Sequence, residues 1–159
     1  MVEDAAPRRR RSLLYVPASN GRALEKARSL ASDGVIVDLE DSVAPEAKDT
    51  ARNVAAAAAR TGFGGRELAV RCNGLDTPWG QADLAALADA EPDALLAPKV
   101  SSAAEVHAYD RALKVSEKKP RESPCFFGVI RRTSGRSRGR ISAIRRFMAA
   151  HASHGNAGR

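Results

Sequence analysis

The sequence predicts an α/β fold in which consecutive strands lie parallel in one sheet and helices connect them. Apolar runs within residues 34–41, 70–80 and 96–100 each end abruptly in charged or turn-forming residues, a pattern that is typical of buried parallel strands. Segments with the helical spacing of apolar residues alternate with these runs. In such folds functional groups gather at the carboxyl edge of the sheet, so we expect the site where the strands end.

The first two β-α units are predicted from apolar spacing and from residues that start helices. Residues 12–16 form the first predicted strand, and Asn20 offers an N-cap for a helix over residues 22–32. Residues 34–39 form the second strand. The helix after it begins at Pro45, because proline is tolerated in the first turn of a helix.

The third and fourth units follow the same pattern. Thr77 and Pro78 form a plausible cap and first turn for the third helix, and Ser102 and Glu105 have capping-box spacing at the start of the fourth. Four β-α units in a row predict parallel strands with right-handed crossovers. The predicted strands cover residues 68–72 and 94–97, and the predicted helices cover residues 79–88 and 102–114.

The charge distribution divides the chain into a basic arm (1–11), an α/β domain (12–114) and a basic tail (115–159). Residues 1–114 hold 15 basic and 17 acidic residues, whereas residues 115–159 hold 11 and 2. We expect the tail to be poorly ordered, with at most an isolated strand over residues 125–130, because few large apolar residues offset the ordering entropy. A frameshift or truncation near residues 114–125 is one explanation. A nucleic-acid-binding extension is less favoured, because no aromatic platform accompanies the charge.

Composition excludes several classes of protein. Cys72 and Cys125 lie far apart without metal-ligand spacing, so neither a disulfide framework nor a zinc site is predicted, and a reducing cytoplasm is the expected location. No run approaches the roughly 18 apolar residues of a membrane span. The apolar stretch after the first arginines ends at Pro17. This stretch is too short to be the apolar region of a signal peptide. We therefore expect a soluble protein.

Three carboxylates lie within four residues at the end of the second strand: Asp38, Glu40 and Asp41. Strand alternation sends Asp38 and Glu40 to one side, whereas Asp41 falls in the following loop. Like charges this close raise one another's pKa unless Mg²⁺, arginine or lysine neutralises them. A metal ion or a substrate-binding arginine is one interpretation, and a solvated acidic loop that caps the second helix is the other.

Basic residues are expected at the same edge of the sheet. Arg71 ends the third strand, where its guanidinium could hold a substrate carboxylate or form a structural ion pair with the acidic residues. Lys99 ends the fourth strand, and we expect a static charge rather than a Schiff base, because acidic neighbours keep an ammonium protonated. Asn73 is a weaker candidate, because Asn73-Gly74 is also an ordinary turn pair.

Four segments in this order resemble the citrate lyase beta subunit family, the acyl-CoA ester lyase branch of the HpcH/HpaI aldolases. They are Arg11 to Asn20, Asp38 to Pro45 with Lys48 and Arg52 after it, Val70 to Gly80, and Pro98 to Ser102. The resemblance runs from about residue 9 to residue 114 and covers an amino-terminal half only. It implies the first four β-α units of a TIM (β/α)8 barrel, because a complete barrel usually takes roughly 250 residues.

The family resemblance also implies a Mg²⁺-dependent carbon–carbon lyase that cleaves a 3-hydroxy-acyl-CoA, such as citryl-CoA or malyl-CoA, into acetyl-CoA and a 2-oxo acid. A homo-oligomer is a further implication. On this basis we predict catalytic roles for Arg71, Glu40 and Asp41, and substrate-binding roles for Arg71, Asp38, Asn73 and Lys99. A cation at this edge would hold the oxygens of the oxo acid while an enolate develops.

One departure from the family pattern limits these expectations. The direct metal ligands of the family are a Glu at the end of strand five and an Asp on the next strand, but beyond Lys114 the only acids are Glu117 and Glu122, neither in that setting. We therefore assign no metal ligand and expect an impaired enzyme, with a non-catalytic binding or assembly subunit as the alternative. Unpaired edges on the first and fourth strands would make the chain marginally stable and prone to associate.

Overall fold

The computed structural model describes residues 10–116 and 126–130 of the 159-residue chain. They form one parallel sheet with strand order β1-β2-β3-β4-β5, and a helix follows each of the first four strands. The strands are β1 Leu13–Pro17, β2 Gly34–Asp38, β3 Glu67–Arg71, β4 Ala94–Pro98 and β5 Phe126–Ile130. The helices are α1 Gly21–Ser29, α2 Lys48–Thr61, α3 Gly80–Ala90 and α4 Ala103–Ser116, with a short 3₁₀ helix over Pro45–Ala47. The four predicted β-α units are confirmed.

Both faces of the sheet bury apolar side chains. Alternation along the strands sends one set into the core under the helices, namely Val35, Val37, Leu68, Val70, Leu95 and Ala97. The other set forms a smaller cluster on the opposite face, namely Ile36, Ala69, Ala94 and Leu96. Burial on two faces explains why the strands read as continuous apolar runs. Asp38 and Arg71 follow Ile36 and Ala69 by two residues, which places the site at the carboxyl end of this second face.

The helix signals in the sequence were correct at α1 and wrong at α3. Asn20 caps α1, since its Oδ1 accepts a hydrogen bond from the Ala23 backbone N–H at 3.0 Å. At α3 the helix begins at Gly80, and the Thr77 hydroxyl instead donates to the Gly74 carbonyl at 2.7 Å. A tight turn over residues 74–77 therefore precedes the helix. Gly80 packs so closely on this turn that a Cβ would lie 2.2 Å from the Gly74 carbonyl oxygen.

The fifth strand corrects the prediction made for the end of the chain. We expected an isolated strand at most, but β5 pairs in parallel with β4 from Ala94–Phe126 to Pro98–Ile130. The prediction of an unpaired edge on β4 is therefore wrong, because β5 supplies the hydrogen-bonding partner. The bias of the tail toward Arg, Ser and Gly hid a short apolar run that is sufficient for one strand. The other residues of the predicted tail beyond residue 116, with its frameshift and nucleic-acid hypotheses, lie outside the described residues.

The end of the predicted basic arm is tied to the amino edge of the sheet. Arg10 makes two hydrogen bonds to Glu67, the first residue of β3, one of them at 2.8 Å, and Arg11 pairs with Asp33 just before β2. These ion pairs lie at the opposite end of the strands from Arg71, so they anchor the chain without contributing to the site. No helix within residues 10–116 or 126–130 combines the length and apolar character that crossing a membrane requires.

Candidate functional site

Asp38 and Arg71 meet at the carboxyl edge of the sheet because the register of β2 and β3 pairs them directly. Arg71 Nε donates to Asp38 Oδ1 at 2.6 Å, and Nη2 donates to Oδ2 at 2.7 Å. This is the two-hydrogen-bond geometry that a planar guanidinium makes with a carboxylate. The predicted convergence of these two strand ends is therefore confirmed, and the structural ion pair is present.

Asp38 also organises the loop that carries the other two acids. Its Oδ1 accepts from the Glu40 backbone N–H at 2.9 Å, and its Oδ2 accepts from the backbone N–H and the hydroxyl of Ser42 at 3.1 and 2.5 Å. Burial alone would disfavour the ionised carboxyl, but hydrogen bonds from Arg71 and Ser42 outweigh it and lower the pKa of Asp38. Asp38 is thus a buried anion that holds both the guanidinium and the loop.

Glu40 lies between two cations and is only 8% exposed. Its Oε1 is 2.8 Å from Lys99 Nζ, and its Oε2 is 3.0 Å from Arg71 Nη1. The second contact is an ion pair without hydrogen-bond geometry, so Oε2 is buried with no hydrogen-bond donor among the described residues. Glu40 therefore links the ends of β3 and β4 and keeps unused acceptor capacity.

Lys99 and Asp41 form the solvent-facing side of this group. Lys99 follows β4 with φ of 52°, a left-handed conformation that is uncommon outside glycine. Its Nζ is 3.1 Å from Asp41 Oδ1, and the two side chains are 52% and 61% exposed. Hydrogen bonds to Glu40 and Asp41 raise the pKa of Lys99, which supports the expected static charge. The edge cluster hereafter means Asp38, Glu40, Asp41, Arg71 and Lys99.

A buried ammonium, that of Lys48, lies behind the edge cluster, and no role in the site was predicted for it from the sequence. Lys48 begins α2, and its Nζ donates to the backbone carbonyls of Leu39 and Glu40 and to Asn73 Oδ1, each at 2.7 Å. Lys48 is 5% exposed, and burial lowers its pKa against the opposing effect of nearby carboxylates. A signal for it was present, because Lys48 lies three residues before Ala51 on the buried stripe of α2.

Asn73, a predicted substrate ligand, is turned inward toward this ammonium. Its backbone N–H and Nδ2 both donate to Asp83 Oδ2, at 2.9 and 2.6 Å, while its Oδ1 receives Lys48. The other Asp83 oxygen pairs with Arg52 Nε at 2.7 Å, and Asp83 is fully buried. These contacts give Asn73 a supporting position. Its direct contact with a substrate stays a prediction.

A cleft of about 510 Å³ opens beside the edge cluster, within the size range of small-molecule sites. Its charged lining includes Glu40, Asp41 and Lys99, and its aromatic lining includes Trp79 and Tyr109. The cleft thus combines fixed charges of both signs with apolar walls. Such a lining suits a ligand that has a charged end and a less polar body.

The described residues do not form a metal site by themselves. Among residues 10–116 and 126–130, no group of three or more His, Cys, Asp or Glu side chains is arranged to hold a metal ion. The buried Glu40 Oε2 is one available oxygen, but Arg71 and Lys99 already neutralise that carboxylate. Mg²⁺ is usually held by one or two carboxylates together with water, and the buried carboxylates here are already paired with cations.

The fold and the site define an α/β protein with an ion-paired edge beside a ligand-sized cleft. The chain belongs to the HpcH/HpaI aldolase/citrate lyase family, whose model matches residues 11–149. The match continues beyond residue 114, where the resemblance was expected to end, so it does not support the expectation that the family pattern stops there.

Characterised relatives in this family carry the names of thioesterases and lyases. The chain is 54% identical to a (3S)-malyl-CoA thioesterase of Cereibacter sphaeroides over 99 residues, which cover 62% of this chain and 35% of the relative. It is 38% identical to citrate lyase subunit beta of Leuconostoc mesenteroides over 112 residues, which cover 70% of this chain and 37% of the relative. The chain therefore spans little more than a third of the length of either protein.

A solved structure supports the same fold. The citrate lyase beta subunit of M. tuberculosis, in complex with oxaloacetate and magnesium, superposes with a TM-score of 0.59 at 30% identity. The superposition covers 79% of this chain and 50% of that chain. The parallel sheet with alternating helices is accordingly part of the α/β barrel of this fold, as the sequence predicted.

Proposed function

We propose that this chain carries part of the binding and catalytic apparatus of a carbon–carbon lyase acting on CoA esters. The substrate class is a 3-hydroxy-acyl-CoA of the malyl-CoA or citryl-CoA type, and the products are acetyl-CoA and a 2-oxo acid. The observation that carries the proposal is the pairing of Arg71 with Asp38 at the edge where Lys99 also lies, in a member of this family.

Arg71 and Lys99 supply the positive charge for the oxo-acid end of the substrate. A guanidinium has five N–H donors, which exceeds the two hydrogen bonds that Arg71 makes to Asp38. Arg71 can therefore bind a carboxylate or carbonyl oxygen while Asp38 still orients it. Lys99 is half exposed and protonated, so it can attract the same end of the substrate as a point charge.

The carboxylates Glu40 and Asp41 are the proposed catalytic acids and bases. Asp41 is the more exposed of the two, and it is the group we assign to take the proton of the substrate hydroxyl. The bond between the hydroxyl-bearing carbon and the carbon next to the thioester carbonyl then breaks, and its electron pair forms the enolate of acetyl-CoA. The hydroxyl-bearing carbon becomes the carbonyl carbon of the oxo acid, and a proton returned to the enolate completes the balance. Arg71 stabilises the substrate hydroxyl oxygen, which gains negative charge as its proton leaves.

Magnesium enters this proposal through the relatives, since the M. tuberculosis structure contains it. The described residues do not fit a magnesium site, so no step above uses the metal. Assays should nevertheless contain Mg²⁺.

Thioester hydrolysis is the second candidate reaction, because the relative with 54% identity is a (3S)-malyl-CoA thioesterase. The two reactions differ in their products. A lyase releases an oxo acid and keeps the thioester as acetyl-CoA, whereas a thioesterase releases the CoA thiol and a hydroxy acid.

The test is incubation of the purified chain with malyl-CoA or citryl-CoA, following oxo acid as its phenylhydrazone and CoA thiol with a disulfide reagent. Oxaloacetate binding is measured in parallel by calorimetry. Arg71→Met should abolish binding and turnover, while the matched Arg22→Met, on the exposed surface of α1, should leave both unchanged. Binding without turnover would favour the binding-subunit alternative. Undiminished oxaloacetate affinity in Arg71→Met would refute the proposed site.

A further inference from the structure

The ammonium of Lys48 joins the ends of two strands that carry the edge cluster. Two of its acceptors, the carbonyls of Leu39 and Glu40, belong to the chain that leaves β2, and the third, Asn73 Oδ1, belongs to the chain that leaves β3. An ammonium has three N–H donors, so every donor of Lys48 is engaged. The two strand ends are thereby tethered from behind the cluster.

The acceptor on the β3 side is itself held firmly. Asp83 accepts from both nitrogens of Asn73, and Arg52 pairs with the remaining Asp83 oxygen. This chain of contacts connects α2 and α3 to the loop after β3. Because the partners of Lys48 are fixed in this way, its position defines where the peptide groups on either side of Glu40 can lie.

We infer that Lys48 is a positioning residue, which sets the place of Glu40 relative to Arg71 by clamping the peptide groups of Leu39 and Glu40 to the loop after β3. Glu40 makes its ion pairs to Arg71 and Lys99 from the segment that Lys48 holds. Only the effect on ligand affinity rests on the proposed function. The effect on the segment over residues 39–43 is independent of it.

Lys48→Met is the direct test, because methionine preserves much of the side-chain length and packing but removes all three hydrogen bonds. The amides of Glu40 and Ser42 are bonded to Asp38, and the amide of Val43 is bonded to the Glu40 carbonyl. We expect their hydrogen exchange to become about tenfold faster in the variant, while amides in the middle of β2 and β3 keep their rates. A uniform rise across the sheet, or no rise at residues 40–43, would overturn the inference.

Trp79 provides a spectroscopic readout of the same change. It is the single tryptophan of the chain, and Lys48 Nζ lies 5.2 Å from the centre of its ring. Loss of the ammonium should shift the emission of Trp79 and change its quenching by acrylamide. An unchanged spectrum in Lys48→Met would count against the observed placement of Lys48.

Ligand affinity separates positioning from general stability. We expect the dissociation constant for oxaloacetate to rise at least about tenfold in Lys48→Met, because small displacements of a binding group cost this much or more. Glu67→Gln weakens a partly buried ion pair at the opposite edge of the sheet and serves as the matched destabilised control, with affinity unchanged. Equal losses of affinity in both variants would show a merely structural role and overturn the inference.

Two further results keep the test decisive. If Lys48→Met does not fold, Asn73→Ala is the second variant: it removes one of the three acceptors of Lys48, together with the Nδ2 hydrogen bond to Asp83, and leaves the two carbonyl acceptors. It should accelerate exchange at residues 40–43 by a smaller factor, and unchanged exchange there would overturn the inference. Absence of oxaloacetate binding in the unmodified chain would refute the proposed function, and the exchange measurement would still decide the role of Lys48. The exposed Lys26→Met is the control for removal of a lysine charge.

Discussion

Replacing Arg71 with methionine tests whether the ion pair at the sheet edge holds the site together. The change removes the hydrogen bonds at 2.6 and 2.7 Å and leaves an Asp38 side chain that is only 2% exposed. Breaking a buried ion pair typically costs roughly 3–5 kcal/mol. Asp38 keeps its hydrogen bonds from Glu40 and Ser42. We therefore expect a loss in the free energy of unfolding near the lower end, about 3 kcal/mol at neutral pH.

The free energy of unfolding lost in Arg71→Met should depend on pH, and the pKa of Asp38 decides the direction of that dependence. In the unmodified protein the folded-state pKa of Asp38 lies below 3.8, so its stabilising contribution is present above that pH and disappears as the pH falls through the folded-state pKa. Without Arg71, burial dominates and should raise the folded-state pKa of Asp38 above 3.8. At low pH the Asp38 carboxyl of Arg71→Met is protonated, so the variant no longer buries an unpaired charge and loses less stability. The difference in stability between the two proteins should shrink as the pH is lowered from about 7 to about 3.5.

Urea unfolding followed by circular dichroism measures these differences. Asp38→Asn and the double variant complete a cycle, in which we expect a coupling energy of about 2 kcal/mol between Arg71 and Asp38. The exposed Arg22→Met should change the free energy of unfolding by less than about 0.5 kcal/mol. A loss below about 1 kcal/mol for Arg71→Met, or one that does not vary with pH, would refute the assignment of Asp38 as a buried anion held by this guanidinium.

Three other predictions concern residues around the site. Asp83→Asn should lower the free energy of unfolding by about 3 kcal/mol, because it leaves the mostly buried Arg52 without its buried partner. Gly80→Ala should cost more than about 2 kcal/mol, since the added Cβ would lie 2.2 Å from the Gly74 carbonyl oxygen. Cys72 should resist thiol reagents in the native state, because it is fully buried and burial raises the pKa of its thiol.

Each of these predictions has a simple control. Asp89→Asn, on the same helix as Asp83, should change stability much less, and a similar loss in both would contradict the importance of the Arg52 pair. Gly21→Ala has no atom within 4 Å of the new Cβ, so a cost equal to that of Gly80→Ala would reject the steric explanation. The thiol assay uses a Cys125→Ser background, and rapid modification of Cys72 without denaturant would show that its burial is wrong.

Sequence reasoning identified the elements of the fold well because their signals are local. The apolar runs and helical stripes of the first four β-α units are contained within a few residues each, and all four units are present. The two errors have local explanations as well. The Thr77-Pro78 pair suits a helix start by composition, but the preceding turn is closed by the Thr77 hydroxyl, and helix α3 starts later. The pairing of the fifth strand was not predicted, because the surrounding tail is rich in Arg, Ser and Gly and the apolar run is only five residues long.

The sequence by itself determined that Asp38, Arg71 and Lys99 would lie at strand ends on one edge, because parallel strands of an α/β sheet all end on the same side. Only the tertiary structure decided that Arg71 holds Asp38 through two hydrogen bonds and that Lys48 clamps the neighbouring loop. Those contacts depend on strand register and on backbone carbonyls that any residue possesses. The identity of a residue therefore does not encode them, and they become defined only when distant parts of the chain pack together.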